Sequence, residues 1–140
     1  REAFQENFSK LFGGGDTDLI LVEAENKDLL AHGIEIIAKP PGKEMRTMQL
    51  LSGGEKTMTA FALLMAFFQV RPSPCCILDE VDAPLDEANV LRLSDLLQSF
   101  AKTCQFILIT HTKTTAMCDH LIGISMEQKG VSAVLQLQLF

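Results

Sequence analysis

The chain has 140 residues, 47% hydrophobic and 21% charged, which suits one compact domain or lobe and excludes a disordered chain. Its net charge of −6, with no dense Lys/Arg run, excludes a surface built to neutralise many phosphates, so any DNA contact is local or supplied by partners. The longest apolar stretch, residues 58–70, is too short to span a bilayer and is interrupted by Thr59 and Gln69, which leaves no membrane role.

In chain order, residues 1–12 put Phe4, Phe8, Leu11 and Phe12 on one helical stripe, and Gly13, Gly14 and Gly15 break it. Residues 19–23 and 33–39 read as two strands joined by a polar turn, the second ended by Pro40, Pro41 and Gly42. After a loop, an apolar helix is expected over 54–70, with Pro72 and Pro74 behind it. Residues 75–79 form a continuous apolar run that ends in acid, the pattern of a fully buried parallel strand. Val90, Leu93, Leu96, Leu97 and Phe100 mark a helix over 87–101, and residues 105–110 are a second buried strand. A short helix over 113–118 and a closing hairpin of 120–126 with 131–139 complete the order. Strand, helix and strand over 75–110 imply a right-handed crossover between parallel strands, so the class is α/β, with a mixed sheet, parallel core strands and flanking helices. Cys75, Cys76, Cys104 and Cys118 contain no CxxC pair and read as small buried hydrophobes in a reducing compartment. No signal peptide opens the chain, which predicts a cytoplasmic protein, and Arg1 in place of Met fits a piece excised from a longer one.

Three motifs carry chemistry. Ser52 and Glu55 have the spacing of a capping box, which accounts for a helix start but not for Gly53 and Gly54 inside the first turn, each of which weakens a helix. Glycines there allow close backbone approach, and free amides with the helix dipole make the spot suited to a phosphate. Asp79 and Glu80 end the first apolar strand, at the sheet edge where α/β proteins bind ligands. Asp79 is placed to hold Mg²⁺, directly or through water, and Glu80 to act as general base on an attacking water. The plainer alternative is a strand end capped by solvated acids. His111 ends the next strand, probing the same edge, where its ring reaches for a terminal phosphate; a structural histidine is the plainer alternative. Between these motifs, residues 81–86 make a turn into a helix that Asp86 suits as N-cap.

Together these residues resemble the ABC ATPase superfamily. Residues 51–55 (LSGGE) resemble its signature, 75–80 (CCILDE) its Walker B strand with the catalytic Glu, 83–86 (APLD) its D-loop, and His111 its switch histidine. The runs at 79–92, 51–57, 40–43 and 12–15 narrow the resemblance to SMC proteins of the bacterial and archaeal chromosome-condensation type. The resemblance implies that the chain is the C-terminal lobe of an SMC head, with residues 1–12 as the end of the coiled-coil arm and 13–140 as the lobe. It implies that Asp79 serves Mg²⁺, that Glu80 activates water and that His111 contacts the γ-phosphate. Ser52, Gly53, Gly54 and Glu55 would meet ATP held by the opposite head, with Leu85 and Asp86 in the D-loop. Implied partners are the N-terminal lobe of the same head, a second head, the C-terminal winged-helix domain of a kleisin, and DNA through the whole nucleoid-associated complex. Pro84 departs from the small residue usual in that loop and would stiffen it.

No G-x-x-x-x-G-K-[ST] phosphate loop is present: Gly42 and Lys43 are preceded by Ile37 and followed by Glu44 where that motif needs Gly and Ser/Thr. The chain alone is therefore expected to bind ATP very weakly and hydrolyse none, ATP and Mg²⁺ being taken up only with the N-terminal lobe. Missing that lobe, it should expose an apolar face and self-associate. Two rival readings remain: a DNA-repair ATPase of the Rad50 or RecN type, against which the DEVDA run (79–83) argues, and a kleisin-docking lobe whose ATPase motifs are silent in isolation. Lys39, Lys43, Arg46 and Lys56 around the signature read as ordinary solvated charges, with contact to a DNA backbone as the sharper alternative.

Overall fold

The computed structural model describes residues 1–23, 32–111 and 118–138. The expected helix at 113–118 and residue 139 of the hairpin fall outside the described residues or at their margin.

Helix α1 (Glu2–Phe12) forms as its apolar spacing demands, burying Phe4, Phe8 and Leu11 on one side. Gly13, at φ 71° and ψ 31°, ends it in the left-handed cap that glycine adopts without penalty. Gly15, at φ +86°, lies so close to Lys39 that a Cβ would overlap the Lys39 carbonyl oxygen. The glycine cluster thus both stops α1 and lets strand β1 (Asp16–Val22) start against β2 (Gly33–Lys39), antiparallel from Asp16↔Lys39 to Val22↔Gly33. Strand β3 (Arg46–Thr47) extends this sheet and leads into a 3₁₀ turn at Met48–Leu50. Both lie in the segment read from sequence as a loop; two residues of pairing carry no periodic signal.

Helix α2 (Gly53–Val70) follows, then β4 (Cys75–Asp79), α3 (Glu87–Phe100) and β5 (Gln105–Ile109). β4 and β5 are parallel and level, Cys75 opposite Gln105 and Asp79 opposite Ile109, as the crossover predicts. The chain closes on the hairpin of β6 (His120–Gln128) and β7 (Val131–Gln138). Among the described residues the strands divide into three sheets: β1-β2-β3, the parallel β4-β5, and β6-β7.

One apolar core joins the three helices to one face of the parallel pair. Phe4, Phe8 and Leu11 meet Met58, Phe61 and Met65 of α2 and Leu93, Leu96 and Leu97 of α3. Phe8 stacks on Phe12 with ring centroids 4.2 Å apart. Leu78 is buried against this core, with Cys76, Phe106 and Leu108 packed beside it. The opposite face is open, which corrects the reading of β4 and β5 as fully buried: Ile77 is 64% exposed, Ile107 44% and Ile109 50%. Hydrophobicity reports what a strand tends to bury; here nothing among the described residues covers this side. The cysteine reading is corrected in the same way, since Cys75 is exposed and Cys76 and Cys118 are half-buried, while Cys104 alone is buried. All four are free thiols. Among the described residues, no helix is long and apolar enough to cross a membrane.

Candidate functional site

The start of α2 is built by Ser52, whose extended backbone (φ −65°, ψ 164°) turns the chain into the helix. The Ser52 hydroxyl accepts from the Glu55 amide at 3.4 Å and donates to Glu55 Oε2 at 2.8 Å, while the Ser52 amide donates to the same carboxylate at 2.9 Å. The expected capping box is complete. Lys43 Nζ adds an ion pair at 2.8 Å to Glu55 Oε1. That hydrogen bond, followed by those from Ser52, holds the Glu55 carboxyl down at about 2. Gly42, at φ 74°, closes a turn in which the Lys43 amide donates to the Pro40 carbonyl, so the Gly-Lys pair serves a turn and a salt bridge.

The two glycines of the motif differ. A Cβ at Gly53 would have no neighbour within 4 Å, whereas one at Gly54 would lie 3.2 Å from the Pro84 carbonyl oxygen and 4.0 Å from Leu85 Cδ2. Gly54 therefore admits the 83–86 loop, and the Cβ side of Gly53 faces open space. Amides at these positions have no acceptor within the helix, and with the dipole they favour an anion.

At the end of the parallel pair, β4 delivers Asp79 and Glu80 while β5 delivers Thr110 and His111. Glu80 has φ 47°, the left-handed region that side-chain-bearing residues seldom occupy, at a cost on the order of 1 kcal/mol. Its amide donates to the Ile109 carbonyl at 2.8 Å, and its own carbonyl accepts from Ala83 at 3.2 Å. These bonds aim Glu80 across the strand ends, where Oε1 lies 3.7 Å from His111 Nδ1. Both side chains are largely exposed. Asp82 is buried, and its Oδ2 accepts from the Thr110 hydroxyl at 2.7 Å. The Asp82 carbonyl accepts from Leu85 at 3.0 Å, and Asp86 caps α3 by accepting from the Asn89 amide at 2.8 Å. The cap matches the sequence expectation. Neither the Thr110–Asp82 bond nor the left-handed backbone at Glu80 was legible, because no glycine marks the turn.

The structure thus brings together part of the sequence-derived set, while Ser52 and Glu55 bond to each other and to Lys43. Gly54 abuts Pro84 and Leu85, Leu85 leads back to Asp82, Asp82 holds Thr110, and Glu80 meets His111. Chemically, Asp79 and Glu80 offer hard carboxylate oxygens. These suit Mg²⁺ held by one or two carboxylates with water and phosphate making up the rest. Among the described residues no group of three or more His, Cys, Asp or Glu is gathered to hold a metal by protein ligands alone. Of the four cations near the capped helix, Lys43 pairs with Glu55 and Lys39 lies 4.0 Å from Asp16. Arg46 lines a pocket of about 320 Å³ beside Ser52 and Glu55, and Lys56 a second of about 650 Å³.

Residues 21–133 match the family described as the RecF/RecN/SMC N terminal domain. The chain is 49% identical over 140 residues to the chromosome partition protein Smc of Bacillus subtilis (strain 168), covering 99% of itself but 12% of that relative. It spans about an eighth of the length of such relatives. Among solved structures it is similar to the Smc head domain of Pyrococcus furiosus with an extended coiled coil, bound to the C-terminal domain of ScpA. There the TM-score is 0.87 and the identity 44%, over 99% of this chain and 34% of that one. It is similar also to a structure solved in a study of ATP-driven dimerization and DNA stimulated activation of SMC ATPases, with TM-score 0.81 and 42% identity, over 99% of this chain and 85% of that one. Match and likeness run the length of the motifs and of the fold that carries them, and the chain belongs to the SMC family.

Proposed function

We propose that this chain is the C-terminal lobe of an SMC ATPase head and supplies half of an ATP-hydrolysing site used in chromosome condensation and segregation. The observation that carries this reading is the meeting of Glu80 and His111, 3.7 Å apart at the ends of two parallel strands, one of which also ends in Asp79. In this reading the N-terminal lobe brings the phosphate cradle, and MgATP, when bound, supplies the anhydride to be cleaved. Asp79 is the carboxylate for Mg²⁺. Glu80 accepts a proton from the attacking water, and His111 stays within reach of the γ-phosphate and orients the Glu80 carboxylate. Ser52, Gly53, Gly54 and Glu55 present the open start of α2 to ATP held by a second head, and Leu85 and Asp86 accompany them at that interface. The helix α1, anchored in the core, is where the coiled-coil arm would enter.

The open face of β4-β5 supports docking of the N-terminal lobe, since it offers apolar side chains without a cover among the described residues. Solved heads bound to ScpA, one of them to its C-terminal winged-helix domain, support a kleisin C-terminal winged-helix domain as a partner, and the study of DNA stimulated activation supports DNA as a ligand of the assembled complex. The chromosome partition relatives favour this reading over a Rad50- or RecN-type repair ATPase and fit a cytoplasmic, nucleoid-associated protein.

ATP hydrolysis measured on the chain alone, on the chain mixed with a matching N-terminal lobe, and on the mixture with Glu80→Gln tests the proposal. Silence, activity and loss of activity are expected in that order. Turnover by the chain alone would sink the half-site reading. In the complete protein Glu80→Gln should trap ATP-engaged heads and leave kleisin binding unchanged; the reverse pattern favours a docking lobe.

A further inference from the structure

We propose that the Asp82–Thr110 hydrogen bond is a positioning strut that sets the distance between Glu80 and His111 and ties that pair to the 83–86 loop. The proposal rests on the half-site reading above and names two residues to which that reading gives no role.

β4 and β5 end level, Asp79 opposite Ile109, so residues 80–82 and 110–111 are the first to leave the sheet. Ladder bonds no longer fix their backbone, yet Glu80 must hold a left-handed conformation that persists only where its surroundings over-determine it. One constraint is the Glu80 amide on the Ile109 carbonyl. A further constraint is the strut: Thr110 immediately precedes His111, Asp82 follows Glu80 by two residues, and the 2.7 Å bond joins the two departing loops beside the reacting pair. Asp82 is 7% exposed, so its carboxyl group is nearly dry, and the hydrogen bond from Thr110 offsets part of the cost of burying it. The same residue reaches the other way. Its carbonyl holds the Leu85 amide at 3.0 Å, and the neighbouring Pro84 carbonyl lies against Gly54. A shift at Asp82 therefore moves both the Glu80–His111 pair and the loop packed on the start of α2.

The test uses the complete SMC protein that carries this chain, with ATP turnover, KM for ATP and ATP-driven head engagement as readouts. Thr110→Val, which keeps shape and removes the hydroxyl, is expected to lower kcat about 10- to 100-fold, the scale of a small misplacement of reacting groups. KM should change less than about 3-fold, because ground-state binding is left alone. Thr110→Ser should restore kcat to within about 3-fold of wild type. In a Glu80→Gln background, Thr110→Val should still engage heads with ATP. Asp82→Asn, which keeps an acceptor oxygen and loses the charge, should lower kcat less than Thr110→Val, and the double variant should fall no further than Thr110→Val alone, as members of one contact do. Wild-type kcat in Thr110→Val, failure of Ser to rescue, or additive losses in the double variant would overturn the strut. Should Thr110→Val not fold, Asp82→Asn and Thr110→Ser decide: a lowered kcat in the first with kcat within about 3-fold of wild type in the second upholds the strut, and wild-type kcat in Asp82→Asn or a larger loss in Thr110→Ser overturns it. Undiminished turnover in Glu80→Gln would instead overturn the half-site reading; loss there, with Thr110→Val fully active, overturns the strut alone.

Discussion

Glu55 sits in an environment far from that of a free carboxylate, with Lys43 Nζ on one oxygen and both the amide and hydroxyl of Ser52 on the other. Its folded pKa, about 2 against an ordinary 4.5, is depressed, so the stability it contributes is present above about 4.5 and is lost as the pH falls toward 2. The Lys43 hydrogen bond is the largest cause and the Ser52 bonds follow, but Lys43 is half exposed, so solvent screens part of its attraction. Glu55→Gln, which can still accept from the Ser52 amide but loses the charge and the Lys43 ion pair, should destabilise the chain at pH 7 by up to about 1 kcal/mol. The gap between variant and wild type in thermal melts should close between pH 4.5 and 2; a gap that stays constant across that range would remove the carboxylate charge from the account. Much of this cap was legible, because a Ser and a Glu three residues apart make their contacts locally. Lys43 was not, since its pairing depends on a turn at Pro40–Lys43 that brings residues twelve apart in sequence together. The Glu80–His111 meeting was legible only as two strand ends predicted to be neighbours; the left-handed backbone that aims Glu80 has no sequence mark.

At the scale of elements, the helices and the parallel pair follow from periodicity, and their ends follow from local chemistry. Asp86 shows how one residue serves both purposes. As N-cap of α3 it accepts from Asn89, so Asp86→Ala should cost about 1 kcal/mol of stability in denaturant unfolding, while Asp86→Ser should recover most of it. If Asp86 also acts at the interface between heads, Ser will restore stability without restoring turnover in the complete protein, and equal recovery of both would confine the residue to capping. Gly15 makes a sharper case. Its left-handed φ and its contact with the Lys39 carbonyl leave no room for a methyl group, so Gly15→Ala should destabilise by more than about 2 kcal/mol, whereas Gly42→Ala, in open space at a similar φ, should cost about 1 kcal/mol. Comparable losses at both sites in parallel melts would mean that backbone strain, not the close approach, governs Gly15. β3 and the 3₁₀ turn escaped the sequence because elements of two and three residues are set by the chains they join. The burial of β4 and β5 was overstated for a related reason: an apolar run announces a demand for cover, and only the fold reveals which face receives it.

For the molecule as a whole, that demand is half met. A two-stranded parallel sheet does not stand alone comfortably, because parallel strands are stable when covered on both faces and extended at their edges. Here α1, α2 and α3 cover one face through Leu78, Phe106 and Leu108, and the other presents Ile77, Ile107 and Ile109. The chain alone should therefore self-associate, visible as a concentration-dependent rise in sedimentation coefficient, and an N-terminal lobe in equal amount should reverse it by covering the same face. Ile107→Lys puts a charge at the centre of this surface on a residue already 44% exposed, so the fold should survive. It should weaken self-association and lobe pairing together, and ATP turnover of the mixture should fall in proportion to the pairing lost. A sharp monomer at high concentration would mean that the open face is not an interface. Loss of self-association with lobe pairing intact would mean that the two use different surfaces, and the N-terminal lobe would then have to complete the sheet through the strand edges instead.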